Sequence, residues 1–233
     1  MELPKITVLI TTYNRIDLLN QTIDALVSNL NYSGEITYVI ANDGEEPLSE
    51  FTLRVGTRDS QGQYVNATEV RTNSPRSGLG TNTNVGLREC FAQSEIVLQT
   101  QDDYLLIQQL DLDEHVQKLV EDTSAGWIRL RLTQGQNFTG TVVHRYWHLN
   151  WHSEGWYIAS DQPHLKHKRF HDFHGFYAEG LKVGDTENEW VGRTKQQGKD
   201  RGGPSVLIPV DWPCDSSWIH TGDGGLSWKG KGL

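Results

Sequence analysis

The stretch ITVLITTYNRIDLLNQTIDAL, residues 6–26, decides the fold class of this chain. Its first six residues, Ile6 to Thr11, form a short apolar run rich in β-branched residues, which is typical of a central strand. From Arg15 onward, apolar residues recur at helical spacing as far as Leu30. A strand that leads directly into a helix is the first part of a βαβ unit, so the stretch predicts a parallel sheet covered by helices.

The same alternation of strand and helix continues along the chain. Strands are predicted at EITYVIAND (35–43), TEVRTN (68–73), EIVLQT (95–100) and AGWIRLRL (125–132), and a turn-rich loop at SPRSGLGTN (74–82). Helices are predicted at NVGLRECFAQS (84–94), LDEHVQKLVED (112–122) and VGDTENEWVGRTKQQG (183–198). We therefore expect an α/β fold, a single domain with a doubly wound, mostly parallel sheet and an irregular second half.

Composition limits the classes of partner. The 233 residues carry a formal net charge of -9, which argues against a broad surface for nucleic acid. Two cysteines are too few for a disulfide framework or a cysteine metal cluster. No apolar run approaches the ~20 residues of a membrane span, and the N-terminus lacks the pattern of a secretory signal. We expect a cytoplasmic protein without a membrane span.

Polar turns follow three of the predicted strands. TTYNR comes after the first strand, NDGEE after the second and QDDY after the fourth. Ligands of doubly wound sheets bind outside the carboxyl ends of the strands, so these turns predict a binding site. Asp102 and Asp103 need special conditions there, because two adjacent carboxylates must either face water or lie beside a positive group.

The segments ITVLITTYNRIDLLNQTIDAL, YVIANDGEE and RSGLGTNTNVGLRECFAQSEIVLQTQDDY, in this order, resemble the glycosyltransferase A (GT-A) fold, specifically the inverting family 2 of glycosyltransferases. The resemblance implies a nucleotide-sugar-binding half over residues 1–110. It also implies an acceptor-binding half over 111–233, with the catalytic base and a C-terminal metal-binding segment, both halves forming one compact domain. The expected activity is the metal-dependent, inverting transfer of a sugar from a nucleotide-sugar donor to an acceptor hydroxyl. A UDP-sugar is the first candidate for the donor.

The resemblance also assigns donor-binding residues. Thr11 and Tyr13 would line the nucleoside pocket, and Asp43 would accept a hydrogen bond from the base. Arg76 would lie near the nucleotide, in a loop whose glycines allow a close backbone approach. Asp102 would face the ribose or a metal-bound water.

The aspartate motif of the family implies a divalent cation, Mn²⁺ or Mg²⁺, that bridges the donor diphosphate. Asp103 takes the position of the metal ligand, while Gln101 stands where the motif has its first aspartate. The resemblance implies a second ligand from the C-terminal segment, and SSWIHTGDGG offers His220 for that role.

An inverting transfer needs a base that removes the proton of the acceptor hydroxyl. The family places this carboxylate at the start of a helix, six residues before an arginine. Counting back from Arg193 gives Glu187, with Asp185 as the alternative. Thr186 and Glu189 match a capping box, which predicts a structural role for Glu189.

Two other functions stay open at this stage, a non-catalytic nucleotide- or carbohydrate-binding module with a decayed site, and a nucleotidyltransferase. The acceptor is not identified by sequence, although a saccharide is the first expectation and a nucleic-acid base the alternative. The latter rests on HLKHKRFHDFHGFY, residues 164–177, whose basic and aromatic residues are interleaved as in single-strand nucleic-acid grooves.

Overall fold

The computed structural model describes residues 2–58, 64–72, 76–131, 138–155, 158–210 and 217–221. The strands are β1 (Ile6–Thr12), β2 (Leu30–Asn31), β3 (Ile36–Asn42), β4 (Arg54–Arg58), β5 (Tyr64–Asn66), β6 (Thr68–Arg71), β7 (Ile96–Gln101), β8 (Tyr104–Leu106), β9 (Leu110–Asp111), β10 (Ala125–Arg129), β11 (Gly140–Val143), β12 (Tyr146–Leu149), β13 (His164–His167), β14 (Ser205–Pro209) and β15 (Trp218–His220). The helices are α1 (Ile16–Asn29), α2 (Glu50–Leu53), α3 (Leu79–Gln93), α4 (Asp113–Glu121), α5 (Lys168–His174) and α6 (Val183–Arg201).

A nine-stranded sheet forms the centre of the described structure, in the order β11-β12-β14-β10-β13-β7-β1-β3-β6. The four strands β6, β3, β1 and β7 are parallel, as are β10 and β14. β13 runs antiparallel to both of its neighbours, and so does β12. Seven of the nine strands therefore share one direction, which confirms the predicted α/β fold with a mostly parallel sheet.

The sheet separates two hydrophobic cores. Val8 and Ile10 of β1 belong to the core that includes residues of α1 and α4, whereas Leu9 belongs to the core that includes residues of α3 and α6. This alternation follows from the two-residue period of a strand, and it requires β1 to be apolar on both faces. All seven residues of β1 are buried, as the opening apolar run predicts.

Helix α3 begins earlier than the sequence predicts. It starts at Leu79, within the predicted loop, because tertiary contacts outweigh the turn preference of its first residues. Gly78 precedes it with a φ of 90°, and the Asn82 side chain donates to the main-chain oxygen of Ala41 at 3.0 Å. Gly80 lies so close to Ala178 that a Cβ would be 2.0 Å from its carbonyl oxygen.

The second half contains more regular structure than the sequence predicts. Strands β10 to β14 complete the central sheet, and β15 pairs with β8. Of these strands the sequence predicts only β10; β11 to β15 have three to five residues each, so their hydrophobic period is too brief to detect from sequence alone. Among the described helices, none combines the length and apolar character needed to cross a membrane.

Gly86 is where α3 packs closest to the sheet. A Cβ at this position would lie 2.5 Å from Cδ1 of Leu9 and 2.9 Å from Cβ of Ala41. We expect Gly86→Ala to lower the free energy of unfolding by about 1–3 kcal/mol through overpacking, even though alanine favours helix formation. Urea unfolding followed by circular dichroism measures this change.

Gly184→Ala in α6 is the matched control. Apart from its chain neighbours and the backbone of α6 itself, no atom of the described residues lies within 4 Å of the position that a Cβ would take there, so the free energy of unfolding should stay within about 0.5 kcal/mol of wild type. Equal stability of Gly86→Ala and wild type would contradict the close packing described here.

Candidate active site

Three polar turns begin side by side at one edge of the sheet. β1 lies between β3 and β7, and Thr11 is in register with both Ala41 and Gln101. Main-chain hydrogen bonds continue past the strand ends, from Asp43 N to Thr12 O and from Asp102 N to Thr11 O, each at 3.1 Å. The parallel arrangement therefore brings Thr11, Asp43 and Asp102 together, as the positions of the three turns predict.

The positive group beside the aspartate pair is Arg15. Its Nε lies 3.1 Å from Oδ2 of Asp102 and its Nη2 donates to Oδ1 of the same carboxylate. Its Nη1 donates to Oδ2 of Asp103 at 2.7 Å. Thr12 Oγ1 also donates to Oδ2 of Asp102, at 2.6 Å. Both aspartates are buried, and Arg15 supplies the charge that compensates them.

The two carboxylates differ in their acidity. Burial raises the pKa of Asp102 to about 6, although Arg15 and Thr12 oppose this effect. Burial acts in the same direction on Asp103, but hydrogen bonds from His220 and Arg15 outweigh it and lower the pKa. Burial lowers the pKa of Arg15, and both aspartates more than reverse that effect. The pair is therefore ionised at neutral pH.

The C-terminal segment reaches the aspartate pair through an antiparallel strand pair. β15 pairs with β8, so that His220 lies opposite Tyr104, and Thr221 N donates to Asp103 O at 2.8 Å. The Nε2 atom of His220 is 3.3 Å from Oδ2 of Asp103. The structure thus brings together the two residues that the sequence analysis assigns to a metal, although they are far apart in the chain.

This arrangement fits a divalent cation. Oδ1 of Asp103 is buried without a hydrogen-bond partner among the described residues, so one carboxylate oxygen is available to a ligand. Carboxylate oxygen suits Mg²⁺ and Mn²⁺, and the imidazole of His220 favours the transition metal. Within the described ranges no group of three His, Cys, Asp or Glu side chains is placed to hold a metal. Asp103 and His220 would thus need further ligands from a bound donor.

Asp43 holds the start of α3 in place. Its Oδ1 accepts from the main-chain nitrogen of Ser77 at 2.9 Å and from the Ser77 hydroxyl at 2.7 Å, and its Oδ2 accepts from Gly78 N at 2.9 Å. The neighbouring Arg76 has a φ of 59°, is exposed and pairs with Glu45 at 3.1 Å. Tyr13 is half-buried in the turn after β1. These residues all border the same sheet edge.

Glu187 lies in the first part of α6, beside a second buried carboxylate. Burial and the charge of Asp161 raise the pKa of Glu187 to about 7, while a hydrogen bond from the Asp161 main chain and the charge of Arg129 oppose the shift. Asp161 is 3% exposed, and its Oδ1 accepts from the Tyr177 hydroxyl at 2.6 Å. The charge of Glu187 also contributes to raising the pKa of Tyr104, the residue after Asp103.

Asp185, the alternative base, has a different environment. It is exposed in the first turn of α6. The predicted capping box is wrong, because α6 begins at Val183 and the Thr186 hydroxyl donates backwards to Lys182 O at 3.1 Å. Glu189 is structural all the same, since it accepts from Arg193 Nε at 2.6 Å.

Much of the basic segment 164–177 lies in the interior, which contradicts its interpretation as a continuous acceptor surface. Lys166 is fully buried, and its Nζ donates to Oε1 of Gln99 at 2.5 Å. Phe170 is fully buried as well. Arg169 donates to three main-chain oxygens around the end of α4, those of Leu119, Asp122 and Ala125. Lys166, Arg169 and Phe170 are therefore bound within the fold, whereas Lys168 pairs with Asp172 at the surface.

Sequence reasoning missed two residues of the site, Arg15 and Asp161. The position of Arg15 in the sequence is a usable signal. It follows β1 within one turn, and side chains there lie near acids that follow the neighbouring parallel strand. Asp161 had no comparable signal, since it follows no predicted element.

Comparison with known proteins agrees with this geometry. Residues 7–178 match the family described as "Glycosyl transferase family 2". No curated protein sequence matches the chain significantly.

Solved structures with a similar fold include S. aureus TarS 1-349 in complex with UDP, with a TM-score of 0.62 and 16% identity over 89% of this chain and 58% of that one. The TarS complex with UDP-GlcNAc has a TM-score of 0.61 and 15% identity over 89% of this chain and 56% of that one. The mannosyltransferase PcManGT from Pyrobaculum calidifontis, in complex with GDP-Man and Mn²⁺, has a TM-score of 0.58 and 16% identity. The match covers 93% of this chain and 58% of that one.

At these identities the likeness shows the fold alone, and the chain spans little more than half the length of those structures. The family match covers about three quarters of the chain. Together with the GT-A arrangement of strands and polar turns, it establishes that the chain belongs to glycosyl transferase family 2.

Proposed function

We propose that this enzyme moves a sugar from a nucleotide-sugar donor to an acceptor hydroxyl, with inversion at the anomeric carbon and with a divalent cation. The observation that carries the proposal is the meeting of Asp43, Asp102 and Asp103 at one sheet edge of a family 2 chain. UDP is the first candidate nucleotide, because TarS was solved with UDP and with UDP-GlcNAc. The GDP-Man complex of PcManGT makes GDP the second.

Residues 1–110 would bind the donor. Thr11 and Tyr13 would line the nucleoside pocket, and Asp43, held after β3 by Ser77 and Gly78, would accept a hydrogen bond from the base. Arg76 is exposed, so its guanidinium can turn from Glu45 towards a phosphate. The exposed, positive side chain is suited to the two negative charges of a diphosphate.

Glu187 would be the catalytic base, in the half formed by residues 111–233. The acceptor oxygen attacks the anomeric carbon, its proton passes to the Glu187 carboxylate, and the bond to the diphosphate oxygen breaks with its electron pair going to the leaving group. A single displacement of this kind inverts the configuration. The pKa of about 7 gives Glu187 suitable basicity near neutral pH.

Asp103 and His220 would hold Mn²⁺ or Mg²⁺, which when bound supplies positive charge to the leaving diphosphate. Asp102, fixed by Thr12 and Arg15, would orient the ribose side of the site. For the acceptor we propose a saccharide, because the residues that suggested a nucleic-acid groove are used inside the fold.

A donor screen by thermal unfolding tests the proposal. We expect a UDP-sugar at 100 times its Kd, together with Mn²⁺, to raise the Tm by about 5–10 °C, with a smaller rise in EDTA. GDP- and TDP-sugars should raise it less. If none of the nucleotide sugars raises the Tm with Mn²⁺ present, the donor site proposed here is wrong.

Asp103→Asn removes the proposed metal ligand. We expect the Mn²⁺-dependent part of the donor stabilisation to disappear and donor hydrolysis to fall by about 100-fold or more, since metal-supported charge stabilisation contributes several kcal/mol. Asp24→Asn, an exposed aspartate of α1, is the control and should leave both measurements at the wild-type level. A Mn²⁺ response that survives in Asp103→Asn would contradict the assignment.

Glu187→Gln tests the base. We expect the turnover of donor hydrolysis to fall by about 100-fold or more, while the donor Kd measured by calorimetry stays within about twofold of wild type. Wild-type turnover should decline tenfold per pH unit below about 7, because only the deprotonated carboxylate accepts a proton.

Asp185→Asn provides the matched control on the same helix. It should keep wild-type turnover and the wild-type pH profile. If Asp185→Asn lost turnover and Glu187→Gln stayed active, Asp185 would be the base instead of Glu187.

A further inference from the structure

Arg15 uses both edges of its guanidinium on the aspartate pair. Nε and Nη2 together engage the Asp102 carboxylate, and Nη1 donates to Asp103 at 2.7 Å. The side chain is 30% exposed, whereas those of Asp102 and Asp103 are 0% and 4% exposed. Arg15 therefore lies at the outer side of the pair, between the buried carboxylates and the surface where a donor arrives.

The two aspartates differ in how many of their carboxylate oxygens accept hydrogen bonds from the protein. Asp102 accepts three hydrogen bonds from Arg15 and Thr12, so both of its oxygens have protein partners. Asp103 uses Oδ2 for Arg15 and His220, while Oδ1 is buried and has no partner among the described residues. A further cation can thus reach this pair only through Asp103.

Charge makes Arg15 a competitor for that cation. One guanidinium compensates half of the two carboxylate charges, which leaves Arg15, Asp102 and Asp103 together with a single negative charge. A cation at Asp103 would also lie close to Nη1 of Arg15, and like charges repel strongly at such distances in a partly desolvated site. The bidentate contact with Asp102 allows Arg15 to remain anchored when its contact with Asp103 is lost.

We propose that Arg15 is the resting counter-ion of the Asp102–Asp103 pair and sets the affinity of the enzyme for its divalent cation, because its positive charge beside Asp103 opposes that of the cation. This inference rests on the proposed metal role of Asp103. It makes Arg15 a positioning residue of the donor site. It also predicts that free enzyme binds Mn²⁺ weakly and gains affinity when a diphosphate adds negative charge.

Mn²⁺ binding without nucleotide tests the inference directly. Titrations followed by the electron paramagnetic resonance signal of free Mn²⁺ compare wild type, Arg15→Gln and Arg88→Gln. Arg88 is an arginine on α3 whose side chain is 57% exposed, so its replacement removes the same charge away from the aspartate pair. We expect Arg15→Gln to bind Mn²⁺ about tenfold more tightly than wild type, and Arg88→Gln to stay within about twofold.

The double variant Arg15→Gln/Asp103→Asn separates the two assignments. It should lose the tight Mn²⁺ site. If it keeps that site, the cation binds elsewhere, and both the inference and the metal role of Asp103 fail. If Asp103→Asn alone abolishes Mn²⁺ binding but folded Arg15→Gln binds no more tightly than wild type, only the inference on Arg15 is overturned.

Circular dichroism shows whether Arg15→Gln folds. If it does not, Arg15→Lys takes its place in the test. Lysine retains the charge but lacks the planar fork that spans both carboxylates. Its Mn²⁺ affinity should therefore exceed that of wild type by about threefold. An affinity equal to or below wild type would then overturn the inference.

Discussion

The contact between Arg15 and the two aspartates after β7 is the interaction on which the candidate site depends. Asp102 and Asp103 are adjacent, ionised and almost completely buried, and such a pair is unstable without a compensating charge. Arg15 reaches both because β1 and β7 are parallel neighbours whose carboxyl ends coincide. Loss of one partner from a buried ion pair costs about 3–5 kcal/mol, so the sheet edge and the site are stabilised together.

A second pair of carboxylates, Asp161 and Glu187, lies in a different electrostatic environment. Its nearest compensation comes from the Tyr177 hydroxyl and from the charges of Lys166 and Arg129. The pKa of Glu187 consequently rises to about 7, whereas hydrogen bonds from His220 and Arg15 lower the pKa of Asp103. Asp103 is thus suited to holding a permanent negative charge, and Glu187 to exchanging a proton near neutral pH.

Aromatic and basic side chains fill part of the interior of the second half. Trp127 stacks on His164 with ring centroids 3.7 Å apart, and Lys166 lies over the Trp127 ring at 5.0 Å. Burial lowers the pKa of Lys166 to about 7, and also lowers that of His164. Histidine, lysine and tryptophan therefore fill this part of the core, where aliphatic residues are more common.

The sequence by itself determined the α/β fold, the order of the first strands and helices, and the three polar turns at their ends, because hydrophobic period and turn composition are local properties. It also predicted that Asp102 and Asp103 either face water or lie beside a positive group. Only the tertiary structure decided that this group is Arg15, that His220 reaches Asp103 through the β8–β15 pair, and that Asp161 accompanies Glu187. These contacts join residues that are distant in the chain, and their formation depends on packing and desolvation, which have no signature in any local stretch.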